Sequence, residues 1–236
     1  MIRGNVLITG GMGGIGSSIV EILCKQEISC ITIDKKINRD LFKNEIFLEI
    51  DLNFPGKIRE KNFPSYKDIQ NFIHCAGFGG PFVDIVSLSD NDFINIFNIN
   101  LFSAYFILKE LLPKWKLNNY GRFLGIASSL SIIGAKNSVA YSSSKHALVG
   151  FVKSIGAEWG EFGITSNCIS PGYVDTRMGI QEEHVSDHKK KIIEMTPSKK
   201  ISQPSEIARV VNFILDDESG YINASNWTVD GGLTAI

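Results

Sequence analysis

A tyrosine and a lysine stand four residues apart in the segment YSSSK, a spacing suited to proton transfer. On a helix these residues, Tyr141 and Lys145, share a face, so the ammonium can stabilise a phenolate and lower the phenol pKa from about 10. This arrangement predicts a general acid/base at Tyr141. Ser128 and Ser129 follow an apolar strand, where a hydroxyl can polarise a substrate oxygen. Alone, the Tyr141–Lys145 pair is also typical of a solvated helix surface. Together with the serines after the strand, the pair favours a catalytic site.

A second candidate site is the glycine-rich segment TGGMGGIG, which joins an apolar run to a helical pattern at Thr9–Gly16. Glycines permit a tight turn and let a pyrophosphate approach the helix N-terminus. Asp34 ends the next apolar run, 18 residues beyond Gly16, where a carboxylate can accept hydrogen bonds from the adenosine ribose. A 2′-phosphate would meet like charge there, which favours NAD(H) over NADP(H). The adjacent Lys35 and Lys36 leave NADP(H) open.

The elements that would position these residues alternate along the chain. Apolar runs predict seven strands, at Asn5–Thr9, Cys30–Asp34, Ile46–Asp51, Asn71–Ala76, Gly121–Ala127, Thr165–Ile169 and Asn226–Val229. Helical periodicity predicts four clear helices, one after the glycines and the others at Asp92–Leu111, Ala140–Phe162 and Pro204–Leu215. A short, poorly patterned helix is expected after the third strand. The pattern predicts an α/β fold: a single Rossmann-like doubly wound, mostly parallel seven-stranded sheet with helices on both faces.

Composition limits the classes of function. The 236 residues suit one domain, 1–236, and 24 basic against 25 acidic residues provide no global field for nucleic acid or an anionic membrane. No apolar stretch is long enough to span a membrane, and the N-terminus lacks the pattern of a signal peptide. Four scattered cysteines indicate reduced packing residues. We expect a cytoplasmic protein that binds neither nucleic acid nor membrane.

The sequence resembles the classical short-chain dehydrogenases/reductases along nearly its whole length. Tyr141-x-x-x-Lys145 matches the signature pair of that family, and Ser128, 13 residues before Tyr141, matches its catalytic serine. Asn100 matches the asparagine of its catalytic tetrad. The ending Asp230-Gly231-Gly232 is also similar. The cofactor-binding positions that the resemblance implies are Thr9, Gly10, Met12, Gly14, Ile15, Gly16, Asp34, Asp51, Leu52, Ala76, Gly77, Tyr141, Lys145, Pro171, Gly172, Val174 and Thr176.

The resemblance also implies a role for each catalytic position. Tyr141 would exchange a proton with the substrate oxygen while the nicotinamide exchanges the hydride, and Ser128 would hold that oxygen. Lys145 would bind the nicotinamide ribose, and Asn100 would position a water that relays protons to Lys145. Residues 177–202 would form the substrate lid. The lysines of this segment are compatible with an anionic substrate or with a simple solvated surface.

Two features depart from the family or invite another interpretation. His74-Cys75 replaces the usual Asn-Asn before Ala76, and we interpret His74 as a structural residue. His184 and His188 stand four apart without an evident third ligand, so no metal site is predicted.

The expected function is hydride transfer between a nicotinamide cofactor, NAD(H) favoured, and a carbonyl or secondary alcohol of a small metabolite. Reduction of a 3-oxoacyl-(acyl-carrier-protein) with NADPH is an alternative, and a catalytically silent nucleotide sensor or scaffold is another of a different class. The helix before Leu111 is rich in apolar residues, and the family packs this helix between subunits, so we expect a homodimer or homotetramer. These residues are Phe93, Ile96, Phe97, Phe102, Tyr105, Phe106 and Leu108.

Overall fold

A parallel sheet forms the centre of the fold. The computed structural model describes residues 1–61, 68–176 and 185–235. The strands in these ranges are β1 (Asn5–Thr9), β2 (Cys30–Asp34), β3 (Glu45–Glu49), β4 (Ile69–His74), β5 (Gly121–Ile126), β6 (Ile164–Pro171) and β7 (Asn226–Val229). They form one sheet in the order β3-β2-β1-β4-β5-β6-β7, and every neighbouring pair is parallel. The predicted seven-stranded α/β architecture is confirmed.

Helices connect the strands and cover the sheet. The α-helices in the described ranges are α1 (Gly14–Lys25), α2 (Asp90–Phe97), α3 (Ser103–Asn118), α4 (Val139–Trp159), α5 (Val185–Met195) and α6 (Pro204–Leu215). The start of α6 agrees with its sequence signals, because Pro204 occupies the first turn and Gln203 and Glu206 form a capping box. No helix within the described ranges has the length and apolar character needed to cross a bilayer.

The sheet buries apolar side chains on both faces. On β1, Leu7 belongs to a core cluster with residues of α3 and α4, whereas Val6 and Ile8 belong to a second cluster with residues of α1 and α6. Successive strand residues point to opposite faces, so a strand covered on both sides is apolar throughout. The two layers of helices leave the ends of the strands as the place for a site.

Several element boundaries differ from the sequence prediction. The helix expected at Asp92–Leu111 is divided, because a π-helical segment, Asn98–Phe102, lies between α2 and α3. α3 also continues to Asn118 despite an internal Pro113. Where a short helix is expected after the third strand, the described residues between β3 and β4 form a 3₁₀-helix, Pro55–Lys61.

The strand order reverses direction between β1 and β4. Connections from β1 lead outward to β2 and β3, whereas β4 begins the other half of the sheet. In doubly wound sheets, ligands bind outside the carboxyl ends of the strands at this switch point. The predicted site residues lie beyond the carboxyl ends of the strands from β1 to β6, so the topology brings them to one edge of the sheet.

Candidate active site

Tyr141 and Lys145 lie one turn apart on α4, beside the carboxyl end of β5. The Lys145 Nζ atom is 5.8 Å from the centroid of the Tyr141 ring and donates a hydrogen bond to the carbonyl of Ile126 at 2.8 Å. Lys145 is buried and Tyr141 is half-buried. The helical face that the spacing predicts for this pair is confirmed.

The acid–base properties of the pair differ from the sequence prediction. Burial raises the pKa of Tyr141, and a hydrogen bond with Ser128 opposes that rise. Burial lowers the pKa of Lys145 to about 8. The predicted lowering of the phenol pKa is therefore wrong, because loss of water around the phenol outweighs the stabilisation of its charged form. Near neutral pH the phenol is protonated and can donate a proton.

Ser128, not Ser129, faces Tyr141. Ser129 is buried, whereas Ser128 is half-buried and its hydroxyl bonds the Tyr141 phenol. A short 3₁₀-helix, Ser129–Ser131, fixes this position: the Ser128 Oγ accepts the Leu130 N–H at 3.1 Å, and the Ser128 carbonyl accepts the Ser131 hydroxyl at 2.6 Å. The Ser128 and Tyr141 hydroxyls are therefore neighbours beyond the end of β5, where a substrate oxygen can bind.

Asn100 lies inside the π-helical segment, behind the Tyr141 face of α4. Its side-chain oxygen accepts the Phe78 N–H at 2.8 Å, and its Nδ2 donates to the Phe78 carbonyl at 3.1 Å. Nδ2 also donates to the Ser144 Oγ at 2.9 Å, and that hydroxyl donates to the Tyr141 carbonyl. Asn100 thus links the loop after β4 to the helix that carries the tyrosine. Sequence spacing alone did not identify Ser144 as this link.

The glycine-rich turn connects β1 to α1 as predicted. Gly10 has a φ of +72°, and a Cβ there would lie 2.7 Å from the backbone of Ala76. A Cβ on Gly16 would overlap the Gly10 carbonyl. Gly13 is the N-cap residue of α1 and has no side chain to cap it, so the N–H groups of the first turn remain available to an anion.

Asp34 lies at the edge of this turn. Its carboxylate accepts the Met12 N–H at 3.1 Å and the Lys35 N–H at 2.8 Å, and the side chain is half-buried. The Lys35 Nζ lies 3.6 Å from Asp51, so its charge is directed to that carboxylate. Asp51 and the buried Leu52 follow β3, on the side of the sheet where the family resemblance implies that the adenine of the cofactor binds.

Residues that follow β6 approach the same turn. Gly172 donates its N–H to the Val229 carbonyl at 3.1 Å, and β6 ends at the preceding residue, Pro171. Thr176 lies so close to Gly14 that a Cβ on that glycine would overlap the Thr176 methyl group. The predicted carboxamide segment and pyrophosphate turn are therefore neighbours.

These positions fit a nicotinamide dinucleotide. The turn is built of glycines, most of which have no room for a Cβ against the surrounding protein. Together with the N–H groups at the start of α1 and the carboxylate at the end of β2, this close-packed turn fits a pyrophosphate and a ribose. Tyr141 and Lys145 stand by β5, two strands from β1 in the sheet. The dinucleotide-binding residues after β1 and β2 therefore lie on one side of the site, and the candidate catalytic residues by β5 lie on the other.

Comparison with known proteins decides the family. The family model described as enoyl-(acyl carrier protein) reductase matches residues 13–234. The 3-oxoacyl-[acyl-carrier-protein] reductase FabG of Buchnera aphidicola subsp. Schizaphis graminum is 31% identical over 236 residues, which cover 96% of each chain. The chain belongs to the short-chain dehydrogenase/reductase family. It is an NAD(P)-dependent oxidoreductase that acts on CH–OH and C=O groups.

Solved structures share the fold of this short-chain dehydrogenase/reductase. A 4-hydroxyisoleucine dehydrogenase complexed with NADH superposes with a TM-score of 0.91 at 23% identity, over 98% of this chain and 99% of that one. ElxO with NADP bound gives a TM-score of 0.89 at 23% identity over 100% of both chains. The shared fold thus accommodates either dinucleotide.

His74 replaces an asparagine of the short-chain dehydrogenases/reductases and is fully buried. Its Nε2 lies 3.1 Å from the Asn100 carbonyl, which can only accept, so Nε2 carries the proton. Its Nδ1 therefore accepts the Thr9 hydroxyl at 2.9 Å, and the Thr9 oxygen accepts the Ala76 N–H. Burial lowers the pKa of His74 to about 3, so the ring is neutral. The prediction of a satisfied structural histidine is confirmed.

An ion pair that the sequence reasoning missed supports the glycine turn. The guanidinium of Arg39 bonds both oxygens of Glu45 at 2.7 and 2.8 Å, and it donates to the Gly11 carbonyl at 3.1 Å. The Glu45 side chain is fully buried and also accepts the Thr32 hydroxyl at 2.9 Å. A carboxylate at the first residue of an apolar strand was the available signal.

The remaining polar candidates of this short-chain dehydrogenase/reductase contribute no further site. All four cysteines are free. Among the described residues, no group of three His, Cys, Asp or Glu side chains could hold a metal ion. His184 and residues 177–184 of the predicted lid lie outside the described residues, as does the side chain of His188.

Proposed function

We propose that this protein is an NAD(H)-dependent carbonyl/alcohol oxidoreductase in which Tyr141 exchanges the proton with the substrate oxygen. The observation that carries the proposal is the half-buried Tyr141 phenol, bonded to Ser128 and one helical turn from the buried Lys145. A bound nicotinamide supplies or takes up the hydride. The protein's contribution is alignment and proton management.

Each catalytic residue has a distinct role in this proposal. Ser128 donates a hydrogen bond to the substrate oxygen and keeps it next to the phenol. Tyr141 is protonated near neutral pH, so it acts as the acid in carbonyl reduction. The Lys145 ammonium favours the phenolate that remains and binds the nicotinamide ribose.

Asn100 would hold the water that returns a proton to this system. Its backbone carbonyl accepts a hydrogen bond from His74, and a carbonyl oxygen can accept a further bond from a water. Its side chain is fully engaged by Phe78 and Ser144 and fixes the carbonyl in place. Asn100 therefore acts through its backbone, with the side chain as a brace.

The electrostatics at the end of β2 favour NAD(H). The Asp34 carboxylate keeps lone pairs for ribose hydroxyls and repels a 2′-phosphate. Among the described residues, Arg39 donates a hydrogen bond to the turn, and Glu45 already neutralises its guanidinium through two hydrogen bonds. Lys35 faces Asp51. These two cations near the turn are thus paired with carboxylates, and Lys36 is the neighbouring cation that could still meet a phosphate.

Two variants test the proposed acid. With NADH and a panel of ketones, wild-type protein should consume NADH, and Tyr141→Phe should lower kcat by about 10²-fold or more. Tyr221→Phe is the matched control, because Tyr221 is fully exposed between α6 and β7. Equal turnover by wild type and Tyr141→Phe would remove Tyr141 from this role.

The cofactor preference is tested by binding. Calorimetry should find tighter binding of ADP-ribose than of its 2′-phosphate, and Asp34→Ser should reduce that preference by about tenfold or more. Asp40→Asn, at an exposed position beyond the strand, is the control. Tighter binding of the 2′-phosphate by wild type would overturn the NAD(H) preference.

A second candidate is reduction of a 3-oxoacyl-(acyl-carrier-protein) with NADPH. The similarity to the Buchnera reductase favours it. Faster reduction of an acetoacetyl-carrier protein with NADPH than of any free ketone with NADH would establish this alternative.

We further propose that residues 1–236 act as one domain, with 177–202 as the substrate lid, in a cytoplasmic homodimer or homotetramer. The oligomer is supported by exposed aromatic residues on α2 and α3, including Phe93 and Tyr105. Light scattering at micromolar concentration should give a multiple of the chain mass. A single monomer peak would contradict the oligomer.

A further inference from the structure

An exposed aromatic ring lies against the proposed acid. The ring centroids of Phe82 and Tyr141 are 6.4 Å apart at an interplanar angle of 67°, an edge-to-face arrangement. Phe82 nevertheless remains 42% exposed. The Phe82 ring thus packs against the Tyr141 ring, and part of it is open to solvent beside the proposed acid.

The loop that carries Phe82 is held in a defined shape. Both backbone groups of Phe78 bond the Asn100 side chain. Gly80 has a φ of +71°, and a Cβ there would overlap the Ile96 side chain. A Cβ on Gly79 would lie 3.1 Å from the Phe82 ring, so the ring covers that glycine. Gly79, Gly80 and the Asn100 side chain therefore fix the position of the Phe82 ring.

Other apolar side chains surround the same strand ends. They come from the loops after β4, β5 and β6, the loops that also hold Gly77, Ser128 and Gly172. Each is between 40% and 42% exposed; they are Phe78, Ile132, Ile133 and Tyr173. Isolated exposed apolar residues are ordinary, but several around one candidate site indicate an apolar ligand.

The parts of these loops nearest the strand ends carry few charged residues, with Asp84 and Lys136 further along them. Residues 78–82 and 128–135 contain no acidic, basic or histidine residue. After β6, Asp175 is the charged residue among 171–176, and the Lys189 Nζ lies 3.5 Å from its carboxylate. An anionic substrate group bound against residues 78–82 and 128–135 would lose hydration without gaining a cationic partner from those residues.

We propose that the substrate carries a bulky, uncharged apolar group beside its carbonyl or hydroxyl carbon, and that Phe82 is a specificity-determining residue that binds this group. The inference rests on the proposed function, because it takes Tyr141 as the group that meets the substrate oxygen. It narrows the substrate class to uncharged cyclic or branched ketones and alcohols.

Three ketones separate bulk from charge. With NADH, kcat/KM for cyclohexanone should exceed that for butan-2-one by about tenfold or more, because added apolar carbons gain binding in an apolar site. Butan-2-one should in turn exceed acetoacetate, which has a similar size and a negative charge. A preference for acetoacetate, or no turnover of either neutral ketone, would overturn the inference.

Phe82→Ala tests the residue itself. It should lower the cyclohexanone to butan-2-one ratio of kcat/KM by about fivefold or more, mainly through KM, while the Kd of NADH stays unchanged. Phe213→Ala is the control, because Phe213 is also an exposed aromatic but packs on Trp227. An equal loss for both ketones would assign Phe82 a merely structural role.

The two proposals fail in different ways. If Tyr141→Phe keeps wild-type turnover, the proposed acid is wrong, whatever the ketone preference. If Tyr141→Phe is inactive and the charged ketone is preferred, the acid stands and the apolar substrate class is wrong.

Discussion

Replacing Lys145 by methionine is expected to stabilise the protein near neutral pH. The side chain is buried, and this burial lowers its pKa from 10.5 to about 8. At about 1.36 kcal/mol per pKa unit, burying the charged form costs about 3 kcal/mol. Methionine removes the charge but leaves the Ile126 carbonyl without its hydrogen bond, at a cost of about 1 kcal/mol. The expected net gain is about 2 kcal/mol.

The gain should depend on pH in a defined direction. The pKa of Lys145 is lower in the folded protein, so the unfolded chain binds more protons between pH 8 and pH 10.5. The free energy of unfolding of the wild type therefore rises as pH rises through that window. The cost is fully present below about pH 8. The advantage of Lys145→Met should therefore shrink toward pH 10.5.

Urea denaturation of both proteins, without added cofactor, at about pH 7 and about pH 10 measures this effect through the midpoint and slope. Lys153→Met, at an exposed position on the same helix, is the control and should change stability by no more than about 0.5 kcal/mol. An equal or lower stability of Lys145→Met at neutral pH, or a difference that does not vary with pH, would refute the reasoning.

Three further expectations concern the same site. The kcat/KM of carbonyl reduction at saturating NADH should fall as pH rises above about 8. In that range Lys145 loses its proton while the phenol stays protonated. A fall in kcat/KM from pH 8 toward pH 6 would contradict this expectation. Glu45→Gln should destabilise the protein by about 3–5 kcal/mol in urea, because it leaves the Arg39 guanidinium without its buried carboxylate, whereas exposed Glu49→Gln should have little effect. His74→Asn should cost about 1–3 kcal/mol, because the shorter side chain cannot bridge both hydrogen-bond partners of the ring, and unchanged denaturation would contradict that role.

Much of the fold follows from local signals. The apolar runs of β1 and β2 and the bounds of α6 agree with the prediction, because strand period and helix caps are properties of short segments. The break between α2 and α3 does not follow from such signals. It coincides with Asn100, whose side chain binds a loop and a helix distant in sequence.

The site was predictable in its residue types and less so in its energetics. The helical spacing placed Tyr141 and Lys145 on one face, but the direction of the phenol pKa depends on burial, which spacing does not report. The Arg39–Glu45 pair was missed because its partners lie on the turn and on β2, and only the assembled sheet brings them together.

The most direct test of the proposed acid is a single turnover with NADH already bound. Stopped-flow absorbance should show hydride transfer to a ketone about 10²-fold or more slower in Tyr141→Phe than in wild type, with an unchanged NADH Kd. Equal single-turnover rates at equal NADH occupancy would mean that the phenol does not supply the proton.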